Sequence, residues 1–263
     1  MEGLNMPELP DVEVFGRYIQ STSMKKKIED VEVKDDRILE GIEESDLERI
    51  KGEEFTDTRR VGKHLFLEAG KNWIILHFGM TGYVEYYKET EPDYVKVRFG
   101  FENGYNLAYI CTRLLGKVAM TDEPQKYLDQ NGVGDDIMNL DKDEFIDRLS
   151  SKRGQIKSAL MDQSLMSGLG NIYSDEVLFQ LGIHPKTRMG DLEKGDIERI
   201  RDTMAEVVER SIEAGADPED MPDDFLIPIR EEGQTCPKDG GKIGMIKVNN
   251  RSTYYCTKHQ KEK

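Results

Sequence analysis

The stretch LMDQSLMSGLGNIYSDE, residues 160–176, decides how the second half of the chain is read. Gly168, Gly170 and Asn171 stand directly before a run, Ile172 to Leu181, with helical periodicity. Such a turn can offer backbone N–H groups and the positive end of a helix dipole to a phosphate, with the Asn171 amide as a further donor. A glycine-rich helix entry also occurs as a plain turn, so the pattern alone leaves both readings open. On either side, Asp141 to Leu149, Gln155 to Gln163 and Gly195 to Ala214 repeat the helical period between turns containing Gly or Pro. An all-helical domain over residues 133–226 follows. Gly215 to Asp224, with two prolines and five acidic residues, reads as a loop within its end.

Upstream the period changes. LFLE, WIILHF, YVEYY, YVKVRFG, YNLAYI and KVAM, all between residues 28 and 120, are short β-branched and aromatic runs bounded by turn signals such as Glu102-Asn103-Gly104. Their spacing predicts a β-sandwich over residues 1–132. One helix is expected before the strands, from Asp11 to about Ser23. Val12, Phe15, Tyr18 and Ile19 would share its buried face and Asp11 would cap it. The fold class is therefore α+β and multidomain.

Downstream, Cys236-Pro-Lys-Asp239 is followed after sixteen residues by Cys256-Thr-Lys-His259. Two ligand pairs, each with two residues between, have the layout of a zinc ribbon, in which tight knuckles flank a hairpin. Cys236, Asp239, Cys256 and His259 would be the ligands of a structural Zn over residues 227–263. A metal-free hairpin held by Ile243, Ile246, Val248 and Tyr255 is the other reading. Asn249-Asn250-Arg251-Ser252 reads as the hairpin turn, with Arg251 at its tip.

Composition narrows the class. With 263 residues and 37% hydrophobic content the chain can build real cores. No run approaches a membrane span and no signal peptide is expected, so a cytoplasmic, monomeric protein is anticipated. Three cysteines are too few for a disulfide framework. The net charge of −15 argues against a polyanionic partner at face value, but the charge is uneven. Residues 233–263 carry 7 basic and 2 acidic side chains, a basic tail on an acidic body.

Taken in order, MPELPDVEV at residues 6–14, Gly62-Lys63-His64-Leu65, HFGMTG at 77–82, GLGNIYSDEVLFQLGIHP at 168–185 and RSTYYC at 251–256 resemble the formamidopyrimidine-DNA glycosylase and endonuclease VIII family over nearly the whole chain. The resemblance implies a β-sandwich, a helix-two-turn-helix domain and a zinc finger that grip damaged double-stranded DNA. It also implies removal of an oxidised base followed by strand cleavage through β- and δ-elimination. Pro7 matches the family's proline nucleophile, Glu8 the adjacent catalytic carboxylate and Lys63 the lysine of the sandwich. Asn171, with Gly170 before it, matches the phosphate-binding turn, and Arg251 the finger-tip arginine. Met80 and Arg113 match two of the three side chains that fill the gap left by an everted base. The third, usually Phe, is Leu115 here, and Asp11 stands where Glu is usual. Between Ala214 and Gln234 the family's long lesion-reading loop looks short or absent, which leaves oxidised pyrimidines, hydantoins and 8-oxoguanine all open as the excised base.

The chemistry explains the start of the chain. An amine attacking C1′ of the sugar must be unprotonated, and an α-amino group, with a pKa near 8, has far more free base at neutral pH than a lysine near 10.4. Pro7 can act only if its nitrogen is not acylated, so the working protein is expected to start at Pro7 and MEGLN to be a misassigned start or a removed segment. A second reading is a non-catalytic DNA-binding relative that has lost this chemistry. A third is a zinc-ribbon scaffold for protein partners.

Overall fold

The computed structural model describes residues 6–261. Whether Met1–Asn5 belong to the working protein lies outside the described residues. The described chain divides into two compact units, residues 6–7 with Asp11–Asn131, and Glu8–Pro10 with residues 132–261.

In the first unit, helix α1 (Leu9–Thr22) contributes its residues from Asp11 onward. It starts two residues earlier than expected, so Asp11 lies within the first turn and is not the cap. Pro10 is tolerated there because the first turn has no use for its missing N–H. Then follow β1 (Ile28–Val33), α2 (Glu44–Leu47), β2 (Phe55–Val61), β3 (His64–Ala69), β4 (Asn72–His77), β5 (Gly82–Tyr87), β6 (Val95–Phe101), β7 (Asn106–Cys111), β8 (Lys117–Thr121) and α3 (Pro124–Gln130). The strands form two antiparallel sheets, ordered β1-β6-β7-β5 and β2-β3-β4-β8. Ile28, Val97 and Phe99 of one sheet and Phe55, Leu65 and Ile74 of the other share a single core, closed by Val12 and Ile19 of α1. The sandwich expected from the sequence is thus present, and each of the six quoted runs overlaps one of its strands, overrunning it by at most one residue. Each such side chain taken out of water contributes about 1.5–3 kcal/mol.

The second unit holds α4 (Lys142–Ser150), α5 (Ile156–Leu160), α6 (Asn171–Leu181), α7 (Lys194–Glu213) and the hairpin β9 (Ile243–Val248) and β10 (Arg251–Cys256). Asp141 caps α4 by accepting from Glu144 N, and Gly182, at φ 69°, ends α6 in the left-handed conformation. Phe145, Leu160, Leu178, Ile200 and Val208 build the helical core, which Leu9 also enters. The acidic segment after α7 is packed as well as looped. Met221 and Phe225 join the helical core, while Leu226 meets Phe179, Cys236, Ile243 and Cys256 under the hairpin. The hairpin turn is the two-residue Asn249–Asn250, with φ of 49° and 60°, which asparagine tolerates and which matches strand twist. Arg251 is therefore the exposed first residue of β10, opposite Val248, one place past the tip.

Candidate active site and metal centre

Within the second unit the N-terminal segment is plugged into the entry of α6. Glu8 is fully buried. Its Oε2 accepts from the N–H groups of Gly170 at 2.6 Å and Tyr173 at 3.3 Å, and its Oε1 accepts from Ile172 N–H at 2.9 Å. These are donors that a helix cannot satisfy internally, so a carboxylate 162 residues away caps α6. The backbone donors expected to face a phosphate, including that of Gly170, are thus engaged by Glu8. Gly168 permits the docking: at φ 137° a Cβ there would come within 2.5 Å of Leu9 Cδ1, while Leu9 N–H donates to Gly168 O at 3.2 Å. Pro7, itself buried, directly precedes this anchor.

Asn171 lies at the first position of α6 and is nearly buried. Its Nδ2 donates to Ser252 O at 3.0 Å, and its Oδ1 accepts from Lys157 Nζ at 2.8 Å. Lys157 also donates to Thr253 Oγ1 and pairs with Asp175 at 2.6 Å, both side chains having no exposure. The other oxygen of Asp175 accepts from Arg230 at 2.7 Å and from Tyr254 N–H at 3.1 Å, with the Arg230 guanidinium 4.7 Å above the Tyr254 ring. Burial pushes the Asp175 carboxyl up and the Lys157 ammonium down, and each partner's charge pulls the other back. This network fastens β10, and with it Arg251, to the helix entry.

In the first unit, Lys63 is half-buried beside Gly62, whose φ of 57° makes the tight turn between β2 and β3. Next to it, His64 and His77 pair across β3 and β4 with ring centroids 4.9 Å apart. Burial lowers both, His64 to about 3, so the two imidazoles are neutral. Met80 is half-buried, while Arg113 and Leu115 are exposed, Leu115 by 48%. Their two turns are clasped together. Thr81 Oγ1 bonds Thr112 Oγ1 at 2.9 Å and accepts from Arg113 N–H at 3.3 Å, and Gly79, at φ 61°, lies where a Cβ would meet the Leu115 backbone at 2.4 Å. Leu115 is therefore no core residue, although its hydrophobicity left that open.

Cys236, Asp239, Cys256 and His259 place one ligand atom each within 4.8 Å of one another. His259 Nδ1 is 3.2 Å from Asp239 Oδ2 and 3.7 Å from Cys236 Sγ, and Cys256 Sγ is 3.4 Å from Asp239 Oδ1. Ligands around a tetrahedral zinc stand about 3.3–3.8 Å apart, and these three separations lie close to that range, so the donor set suits such an ion. The tautomer fits too. His259 Nε2 faces Phe179 O at 3.1 Å, a pure acceptor, which puts the proton on Nε2 and turns the Nδ1 lone pair inward. Asp239 is held down to about 2, chiefly by the N–H of Gly241, and burial raises the Cys236 thiol to about 11.

Comparison with known proteins now enters. The family model described as the formamidopyrimidine-DNA glycosylase N-terminal domain matches residues 6–118, and the formamidopyrimidine-DNA glycosylase H2TH domain matches residues 133–221. The chain belongs to the formamidopyrimidine-DNA glycosylase family. It is 32% identical to the formamidopyrimidine-DNA glycosylase of Arabidopsis thaliana over 97% of this chain and 71% of that protein. It is 31% identical to the one from Streptococcus mutans over 98% and 100%. Among solved structures it resembles Lactococcus lactis Fpg in complex with DNA containing an abasic site, with TM-score 0.87, 26% identity, and 97% and 100% of the two chains covered. It also resembles MutM in complex with DNA containing carbocyclic 8-oxo-G, with TM-score 0.85, 26% identity and the same coverage.

In this member of the family, sequence reasoning missed Lys157, Asp175 and Arg230, which hold the Asn171 and Arg251 region together. Each reads in isolation as a surface charge, and only the apolar neighbours of Asp175 along α6 hinted at its burial. It also missed the role of Glu176. Glu176 is fully buried in the second turn of α6 and accepts from Leu226 and Ile227 N–H at 2.8 and 2.9 Å. Among the described residues no helix is long and apolar enough to cross a membrane.

Proposed function

We propose that the protein is a base-excision DNA glycosylase that removes oxidised bases from duplex DNA and then cleaves the strand as a lyase, with Pro7 as nucleophile. The observation that carries this reading is the burial of Glu8 on the α6 entry, which fixes the residue next to Pro7 by three hydrogen bonds. The Pro7 nitrogen, once unacylated, attacks C1′. The N–C1′ bond forms as the glycosidic bond breaks, and the departing base takes a proton. The nitrogen gives up its proton and the sugar ring opens, the C1′–O4′ bond breaking as O4′ takes a proton and the nitrogen lone pair forms an iminium. This iminium acidifies the C2′ hydrogen, so loss of that proton expels the 3′ phosphate and a second elimination expels the 5′ phosphate. Glu8 is the group placed to pass protons between the sugar and the base.

Lys63, Asn171 and Arg251 are assigned to phosphates flanking the lesion, and Met80, Arg113 and Leu115 to the gap left by the everted base. Structural zinc on Cys236, Asp239, Cys256 and His259 would fix both knuckles of the hairpin that carries Arg251. The domains are read as residues 1–132, 133–226 and 227–263, in a cytoplasmic monomer. The segment after α7 is short and packed into two cores, and this leaves oxidised pyrimidines, hydantoins and 8-oxoguanine all open as the excised base.

Borohydride trapping tests the mechanism. Protein beginning at Pro7, verified by N-terminal sequencing, should become covalently joined to a duplex with an abasic site, whereas protein retaining the preceding residues should not. Absence of any adduct across abasic and several oxidised-base duplexes would overturn the catalytic reading.

A further inference from the structure

Among the described residues three large apolar side chains stand exposed: Tyr94 by 61%, Leu115 by 48% and Met245 by 38%. Leu115 belongs to the turns assigned to the DNA gap. Tyr94 opens the run YVKVRFG and has been given no functional role, yet it lies at the same end of the same sheet. Its carbonyl accepts from Cys111 N–H at 3.3 Å, Cys111 pairs with Gly82, and these two residues lead directly into the turns of Thr81 and of Thr112-Arg113. Tyr94 just before β6, Met80 two residues before β5 and Arg113 two residues after β7 thus stand at one end of the sheet.

Tyr94 also has an unusual backbone. Its φ is 60°, a region in which a bulky side chain is strained. Nothing in the fold compensates: the ring makes no aromatic or cation–π contact among the described residues, and most of its surface faces water. Glycine would satisfy the backbone better, so a tyrosine here is retained against the preference of the chain. Strain of this kind concentrates where a side chain must be aimed at a ligand.

We infer that Tyr94 is a further DNA-contacting residue, whose ring stacks on a base exposed when the lesion leaves the duplex. A phosphate contact is disfavoured by the neighbouring Asp93 and by Glu89 and Glu91 in the preceding loop, whose charges repel the backbone. A ring face is indifferent to that repulsion and accepts any base. The inference rests on the glycosylase reading and extends its wedge from three side chains to four.

Three proteins decide it: wild type, Tyr94→Gly and Tyr94→Phe. Each is titrated against a duplex carrying a tetrahydrofuran abasic analogue opposite 2-aminopurine, with binding followed by anisotropy over a salt series, stacking by 2-aminopurine fluorescence and stability by thermal unfolding. Stacking predicts that Tyr94→Gly melts no lower than wild type, because the strain is relieved, yet binds about tenfold more weakly with the salt slope unchanged and altered 2-aminopurine emission. Tyr94→Phe should bind like wild type. Equal binding by wild type and Tyr94→Gly would overturn the inference and leave the glycosylase reading standing. Loss of binding in Tyr94→Phe as great as in Tyr94→Gly would also overturn it, by assigning the contact to the hydroxyl. Failure of wild type to bind the duplex at low salt would instead overturn the glycosylase reading itself.

Discussion

Glu176 shows how a single carboxyl can govern the pH response of a connector. Burial raises its pKa from 4.5 to about 7, against the pull of Gln180 and the N–H groups of Ile227 and Leu226. The folded-state value lies above that of the unfolded chain. The stability this group contributes is therefore complete below pH 4.5 and is lost as pH rises through about 7. Glutamine cannot ionise, so the stability difference between wild type and Glu176→Gln should move in favour of the variant by up to about 3 kcal/mol between pH 5 and 8. Urea denaturation across that range measures it, and parallel pH profiles would refute the assignment. The residue was visible in the sequence as a helical glutamate. Its function was not, because the N–H groups it caps lie 50 residues downstream and carry no mark of needing a cap.

At the scale of elements, legibility followed the contrast between buried and exposed positions. The β3 strand, HLFLEA, buries Leu65, Phe66, Leu67 and Ala69 and announces itself. The β2 strand, FTDTRRV, buries only Phe55 and Val61 and has charges between them, so its strand character comes from pairing with β3. The hairpin of β9 and β10 was legible through its two knuckles, since ligand spacing survives any ambiguity in hydrophobic pattern. The metal proposed there gives a second prediction. Both thiols must lose protons to bind zinc, so acid competes with the ion. Protein isolated without chelator should carry zinc at pH 8 by atomic absorption, lose it on dialysis against a chelator more readily at pH 5, and melt at a lower temperature once stripped. No zinc in undenatured protein would dismiss the site.

The whole molecule carries a net charge of −15 and is assigned a polyanionic substrate, so attraction has to be local. The 7 basic residues of 233–263 provide it on one module. Replacing Arg251 by alanine should weaken binding to every duplex and flatten the dependence of log K on log salt by about one unit, as expected for one lost phosphate contact. An unchanged slope would remove Arg251 from the interface. The family was legible at this scale because its short motifs follow one another in order along the chain. The charged network of Lys157, Asp175 and Arg230 was not, since its members are brought together only by folding. The same holds for Glu8, whose partners lie 162 to 165 residues later in the sequence. Made 162 residues before Gly170, it has nothing to hold until α6 has followed. A nascent chain halted before that helix carries the proposed nucleophile without its socket, so assembly of the proposed site is deferred until α6 exists.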